Sequence, residues 1–304
     1  MNKLPSLKNL SYLLALHQHQ NFNRAAQACY VSQSTLSSGI QNLEEQLGCQ
    51  LIERDHKSFL FTSMGEEIVD LSRNILTQTE ELMNHAQSQG NIMEGPLRLG
   101  CIPTIGPFLL GPLSRRLHDD FPKLQLQIRE DTTAHLMQLL KNGELDALIL
   151  ALPIETQGNQ SWVLGKDPFK MVLHPDLAKD VGEPVDYNKL PDQSIFLLEH
   201  EHCMTGHAVT ACRLGNSRKI NPFTASSLHS LVQMAEARTG ATFVPQMAID
   251  QGILSNTELV ALTPTDGEAY REIGLLFRPT TSRRQTFRKI AETVADLLPI
   301  STLS

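Results

Sequence analysis

The sequence predicts a chain of two unlike parts, an all-helical N-terminal segment joined through one long helix to a larger α/β domain. Three observations carry this reading. From Leu7 to Leu47 apolar residues recur at three- and four-residue spacing. From Met64 to about Gln89 a polar, helix-compatible stretch runs with no proline and, past Gly65, no glycine. From Leu97 onward short apolar runs alternate with helical stretches, the grammar of an α/β domain.

Composition sets the outer bounds. The 304 residues allow two or three domains, each large enough to bury a core. Hydrophobic residues make up 41% and charged residues 19%, ordinary for a soluble globular chain. No run of apolar residues is long enough for a transmembrane helix, and Met1 to Ser11 lack the apolar core of a signal peptide, so a cytoplasmic location is expected. The cysteines at 29, 49, 101, 203 and 212 are sparse, odd in number and without a Cys-x-x-Cys, which is no secreted disulfide framework. The formal net charge of -7 gives no global sign of a nucleic-acid partner, although such a footprint can be local.

Taking the elements in order, Leu7, Leu10, Leu13, Leu14 and Leu16 form the buried stripe of a first helix. Asn23 is expected to cap a short alanine-rich helix through Cys29, whose small side chains admit another helix closely. Ser32 is expected to cap a helix to Leu47, stopped by Gly48. Leu36, Ile40, Leu43 and Leu47 fix its inward face. Gln33, Ser34, Ser37, Ser38 and Gln41 stand on the other face. They suit base edges or phosphates if this helix enters a major groove, and an ordinary solvated face equally well.

On the long helix, Ile68, Leu71, Ile75 and Leu82 make one apolar row, and Val69, Leu76 and Met83 a second. Such rows call either for a partner helix or for burial against their own domain. Gly90-Asn91 and Gly95-Pro96 mark a hinge. Beyond it, strands are expected at Leu97–Cys101, Leu124–Ile128, Ala147–Ala151, Lys170–Leu173, Ile195–Leu198, Ala241–Val244 and Ile273–Phe277. Helices are expected at Phe108–Asp120, Leu136–Leu140, Ser227–Arg238 and Arg284–Leu298. No Gly-x-Gly-x-x-Gly follows the first strand, so no dinucleotide site is expected. Pro103-Thr104-Ile105-Gly106-Pro107 is a strand-to-helix loop, where open α/β folds place ligands. Thr104 there is either a ligand group or a plain loop hydroxyl.

Ala25-Ala26, then Val31-Ser32-Gln33-Ser34-Thr35-Leu36-Ser37, Ile40, Leu43-Glu44 and Leu47-Gly48 resemble the winged helix-turn-helix of LysR-type transcription regulators. Leu51-Ile52-Glu53-Arg54 and Phe61-Thr62-Ser63-Met64-Gly65 continue the pattern through the wing. The resemblance implies a winged helix-turn-helix at 1–62, a dimerisation helix at 63–90 and a regulatory domain at 91–304. That domain would hold two Rossmann-like subdomains of the periplasmic-binding-protein kind, about 96–168 with 271–304 and about 169–270, around a cleft. Promoter DNA, self-association as a dimer of dimers and RNA polymerase are the implied partners, with no membrane. The sequence departs from the family at Ser34, where proline is frequent, and at Gln41 and Asn42, where basic residues are. Residues 1–61 hold five basic groups (Lys3, Lys8, Arg24, Arg54, Lys57) against four acidic ones (Glu44, Glu45, Glu53, Asp55), a net of +1. Few phosphate contacts imply a shallow salt dependence. Arg54 and Lys57 are the candidate wing contacts.

Glu199-His200-Glu201-His202-Cys203 is followed nine residues later by Cys212. A histidine cation or a helix N-terminus raises the reactive thiolate fraction, and the flanking carboxylates oppose it. A small buried hydrophobe is the alternative reading of either cysteine. Cys29, Cys49 and Cys101 are expected to be buried structural thiols. The stretch to Cys212, with Cys101 to Leu109, Gly143 to Leu152 and Arg271 to Pro279, resembles the peroxide-sensing branch of the LysR family. The resemblance implies control of antioxidant genes, with Cys203 as the peroxide-reactive thiol and Cys212 as the resolving one. Thr104, Thr133, His202 and Arg271 would line the peroxide pocket, and Glu201 would tune it. Hydrogen peroxide would be the signal, with no metal or cofactor, and thioredoxin- or glutaredoxin-type proteins the reductants. With Met204-Thr205 after it, Cys203 suits a helix start capped by Thr205, and Cys212 falls on the same helix. Nine helical residues rise about 13.5 Å and turn about 900°. A disulfide needs Cα atoms within about 7 Å. Joining the two thiols would therefore require that helix to unwind. A regulator that consumes peroxide once per switching event is not expected to be an enzyme. A LysR-type regulator binding a small metabolite in the cleft, with incidental cysteines, is the alternative.

Overall fold

A computed structural model describes residues 4–54, 59–87, 91–199, 203–215, 217–264 and 269–302. The chain divides into two compact units, Met1–Gly90 and Asn91–Ser304.

The first unit opens with three helices, α1 (Leu7–His19), α2 (Phe22–Ala28) and α3 (Gln33–Leu47). Each has a side-chain cap: Ser6 accepts from Asn9 N, Asn21 from Arg24 N, and Ser32 from Thr35 N. The cap of α2 is Asn21 rather than the expected Asn23, because Asn21 is the extended residue whose side chain faces the first free N–H groups. Gly48 ends α3 at φ 69°, in the left-handed region that glycine adopts without cost. Leu10, Leu13, Leu16, Ala25, Ala26, Leu36, Ile40 and Leu43 form the core. At Gly39 a Cβ would lie 2.6 Å from Tyr12 Cδ2, so glycine is what lets α3 close onto α1. The antiparallel pair β1 (Ile52–Arg54) and β2 (Phe59–Phe61) follows as the wing, then α4 (Ser63–Gln87). Val69 is buried, with Ile68 and Leu76 packed beside it, whereas Leu71, Ile75, Leu82 and Met83 are exposed. Leu71, Ile75 and Leu82 thus lie on a face away from the core, whereas Met83 continues the Val69 and Leu76 row and is exposed.

In the second unit β3 (Gly95–Cys101), α5 (Gly106–Asp120), β4 (Leu124–Glu130), α6 (Thr133–Lys141) and β5 (Ala147–Leu152) lead into the long strand β6 (Gln160–Leu173). Then come α7 (Pro175–Val181), β7 (Ile195–Leu198), α8 (Cys203–Ala211), β8 (Ile220–Ala225), α9 (Leu228–Glu236) and β9 (Ala241–Pro245). The chain closes with α10 (Gln246–Asp250), β10 (Val260–Leu262), β11 (Tyr270–Phe277), α11 (Arg284–Ala295) and β12 (Ile300–Ser301). The strands run in the order β4-β3-β5-β11-β6-β9-β7-β8, with β10 and β12 also on β6. β3 is parallel to β4 and β5, and β7 is parallel to β8 and β9, as the intervening helices require.

β6 carries the change from one half to the other. Residues 160 to 168 pair with β11, and from Phe169 to Leu173 the strand pairs with β9 instead. Sequence patterning finds only Lys170–Leu173 of it, because Gly165, Lys166, Asp167 and Pro168 do not read as a strand interior. β5 is buried at every position, as an apolar run between packed layers should be. β4 is an end strand, so its alternating leucines are only half-covered.

Candidate functional site

The two subdomains meet at Arg271, the first residue of β11 to be fully buried. It sits directly across the ladder from Asp167 on β6. Arg271 Nε and Nη2 donate to Asp167 Oδ2 at 3.0 and 2.9 Å. Its other contacts cross to the loop before α5: Nη1 donates to Thr104 Oγ1 at 2.8 Å, and Nη2 to the Thr104 carbonyl at 2.9 Å. Asp167 Oδ1 accepts from Met247 N at the start of α10. One guanidinium therefore ties together the first loop, the long strand and the second half, and all its planar donors act in fixed directions. Thr104 is buried, and both its hydroxyl and its carbonyl accept from this group.

Thr104 and Thr133 lie at equivalent places. Cys101 and Glu130 are paired in the parallel β3–β4 ladder, and each threonine stands three residues beyond its strand partner. Both are thus at the carboxyl ends of parallel strands. Thr133 opens α6, half-buried, with Thr132 as the cap. Burial pushes the Cys101 thiol far up, the Glu130 carboxylate adding to this and Arg271 opposing it. Glu130 is itself held above the usual carboxylate range by burial. Cys101 is a buried structural thiol, whereas Cys29 and Cys49 are only half-buried, because their short helix end and turn leave them near the surface.

α8 begins at Cys203 and its hydrogen bonding continues to Cys212, whose N–H donates to the Ala208 carbonyl at 2.9 Å. Cys212 is fully buried, and burial pushes its thiol up to about 12, with a Tyr187 hydrogen bond opposing. Thr205 does not cap the helix. It lies within the first turn, and its buried hydroxyl donates to the Leu198 carbonyl at 2.8 Å, anchoring α8 to β7. Glu201 and His202 lie outside the described residues, as does Lys57.

His207 stands in the same histidine-rich stretch, but the sequence assigned it no role. Its Nε2 donates to the Pro153 carbonyl, just past β5, at 3.3 Å, and its buried Nδ1 has no partner among the described residues. The signal that would have found it is its four-residue spacing from Cys203 on one helix. Asp167 was missed as well, and for it no local signal exists.

On α3, Gln33, Ser34, Ser38 and Gln41 are exposed and Ser37 half-buried, opposite buried Leu36, Ile40 and Leu43. The Ser34 hydroxyl lies 2.9 Å from Ser32 Oγ. Ser34, Thr35, Ser38 and Asn42 form one wall of a cleft of about 440 Å³ facing Lys8, Asn9 and Tyr12 of α1. Arg54 ends β1 in the wing. Glu44 turns inward, its Oε1 accepting from Leu51 N and Ile52 N. No group of three potential metal ligands occurs among the described residues, and no described helix is long and apolar enough to cross a membrane.

Residues 7–66 match the family "Bacterial regulatory helix-turn-helix protein, lysR family", and residues 91–299 match "LysR substrate binding domain". The DNA-binding transcriptional dual regulator OxyR of Escherichia coli is 35% identical over 289 residues, 95% of this chain and 94% of that protein. The HTH-type transcriptional regulator EstR of Acinetobacter baylyi is 34% identical over 295 residues, 96% and 97% of the two chains. Among solved structures, the reduced regulatory domain of OxyR2 from Vibrio vulnificus is 55% identical, covering 68% of this chain and 97% of that one at a TM-score of 0.66. Full-length OxyR from Pseudomonas aeruginosa is 29% identical and covers 99% of both chains at a TM-score of 0.78.

Proposed function

The chain belongs to the LysR family of bacterial transcription regulators, and from that premise we propose that it is a hydrogen-peroxide sensor switched by a Cys203–Cys212 disulfide. The carrying observation is α8 itself. It begins at one cysteine and keeps the other buried at its far end, nine residues on. In an intact helix that spacing holds the Cα atoms about 13.5 Å apart, beyond the roughly 7 Å a disulfide spans. The chemistry then proceeds in two steps. The Cys203 thiolate attacks one peroxide oxygen, forming the S–O bond of a sulfenic acid as the O–O bond breaks and hydroxide leaves as water. Cys212 displaces that hydroxyl, again as water, once α8 has opened.

The burial of Cys212 orders these steps. A thiol pushed up to about 12 is a poor nucleophile at neutral pH. Opening α8 both returns it to the ordinary thiol range and brings it within reach, so resolution and refolding are one event. The two states differ in local fold, which is the bistable element a regulator needs. Thr104, Thr133, His202 and Arg271 line the peroxide site in this reading, and Glu201 tunes it. The α3 face of Gln33, Ser34, Ser37, Ser38 and Gln41 reads promoter DNA, with Arg54 and Lys57 of the wing on the backbone. Two copies associate through α4 and pairs of dimers form the working tetramer, which engages RNA polymerase in the cytoplasm at antioxidant genes. Thioredoxin- or glutaredoxin-type proteins reset the disulfide. The similarity to OxyR proteins of Escherichia coli and Vibrio vulnificus supports this reading.

A second reading has one observation in its favour: EstR, a regulator not named for peroxide, is almost as similar as the Escherichia coli protein. Here a small metabolite in the cleft would be the signal. Non-reducing peptide mapping after micromolar peroxide separates the two. A linked 203–212 peptide, lost in Cys203→Ser together with the transcriptional response, is the expected result. Absence of that peptide, with normal regulation by Cys203→Ser, would leave the metabolite reading.

A further inference from the structure

We propose that His207 moves the proton in the first step, taking it from the Cys203 thiol and returning it to the hydroxide that leaves peroxide. The inference rests on the peroxide reading above. Positions 203 and 207 are one helical turn apart on α8 and share a face, with Cβ atoms about 5–6 Å from each other in such a pair. Helical side chains lean toward the N-terminus, so the imidazole of His207 covers the turn that position 203 opens.

The hydrogen bonding fixes which nitrogen is available. Pro153 offers a carbonyl, which only accepts, so Nε2 carries the hydrogen of the neutral ring. Nδ1 then holds a lone pair, buried and without a partner among the described residues. A buried acceptor with nothing to accept is costly in a folded protein, and a functional site is where such a cost is met. Burial holds the imidazole below its ordinary range, the Pro153 carbonyl opposing and the Arg271 charge assisting. It is therefore neutral at pH 7 and competent as a base. The Arg271 charge is itself paired to the Asp167 carboxylate at 2.9 Å.

The balance closes on the residues and peroxide alone. Nδ1 takes the thiol proton as sulfur attacks, and the S–O bond forms while the O–O bond breaks. The imidazolium gives the same proton to the departing hydroxide. Cysteine is oxidised to sulfenic acid, peroxide is reduced to water, and His207 ends as it began.

The test uses the full chain with Cys212→Ser, so that the sulfenic acid accumulates and can be trapped and counted by mass spectrometry. Rates are measured from pH 6 to 9.5 with His207 intact and as His207→Gln, whose amide still donates to the Pro153 carbonyl but takes no proton. The expected loss at pH 7 is on the order of 10²-fold, with the variant's rate climbing about tenfold per pH unit toward an ordinary thiol pKa of about 8.5. Added imidazole should speed His207→Ala. A uniform loss at every pH, without imidazole rescue, would mean a packing role and overturn the proposal. So would equal rates in both proteins. If the His207 protein forms no sulfenic acid at all, it is the peroxide reading that fails.

Discussion

Arg271 and Asp167 are both fully buried, and neither tolerates loss of the other. Arg271→Met removes the cation but leaves a carboxylate held by a single N–H from Met247. Stripping one partner from a buried pair costs about 3–5 kcal/mol, whereas replacing both with apolar groups of similar volume is close to neutral. Arg271→Met should therefore lower the urea midpoint sharply, and Arg271→Met with Asp167→Leu should recover much of the loss. A single variant as stable as the parent would refute the pairing. At this scale the sequence was an uneven guide. Arg271 was legible only through family resemblance, Thr104 also through its strand-to-helix loop, and nothing local reveals that they touch, since 167 positions separate them. Asp167 was silent because its meaning comes from the register that sets it opposite Arg271. Cysteines were the reverse case: their positions and spacing could be read directly, but the half-exposure of Cys29 and Cys49 could not.

At the scale of elements, the proposed switch needs α8 to hold and then to open. Met204, Thr205, Ala208 and Cys212 are buried, and the Thr205 hydroxyl pins the first turn to β7. Against this, Gly206 sits inside the helix with open space where a Cβ would be. Glycine within a helix costs roughly 0.5–1 kcal/mol relative to alanine. Gly206→Ala should stabilise the closed helix by that amount and slow disulfide formation up to about fivefold, a factor that 1 kcal/mol sets. Sulfenic acid formation, which precedes opening, should keep its rate. Rapid-quench mapping of the linked peptide measures both steps. An unchanged rate of disulfide formation would mean that α8 does not open in the slow step. Periodicity located many of the other elements, several to within a residue or two, since caps such as Ser32 and Gly48 are local chemistry, but it gave no sign of α7, α10, β8, β10 or β12. It failed where tertiary pairing decides, as in β6, whose N-terminal half is a strand because β11 lies beside it.

At the scale of the whole molecule, the first unit has little charge with which to hold DNA. Residues 1–61 carry a net of only +1, on a chain of net -7. Affinity must then come from placing two recognition helices on one duplex, as paired half-sites allow, and from the hydroxyl and amide donors of α3. On the proposed reading, self-association is then a condition of binding. The proposed seam is α4, where Leu71, Ile75, Leu82 and Met83 are exposed large apolar side chains. Val69 is sealed in the unit's own core with Ile68 and Leu76 packed beside it, so the exposed Leu71, Ile75 and Leu82 are not needed for folding the unit. Ile75→Glu would place a charge in an apolar seam, where burial without a partner is prohibitive. Its melting behaviour should be little changed, because Ile75 is nearly half-exposed in the single chain, at 45%. Sedimentation should show a fall in mass toward the protomer, and affinity for a palindromic operator should fall with it while affinity for an isolated half-site stays as it was. Retention of the parent mass would assign the exposed row of α4 to some other contact. Retention of operator affinity by a protomer would show that one α3 suffices, and that its uncharged donors contribute more than a charge count credits.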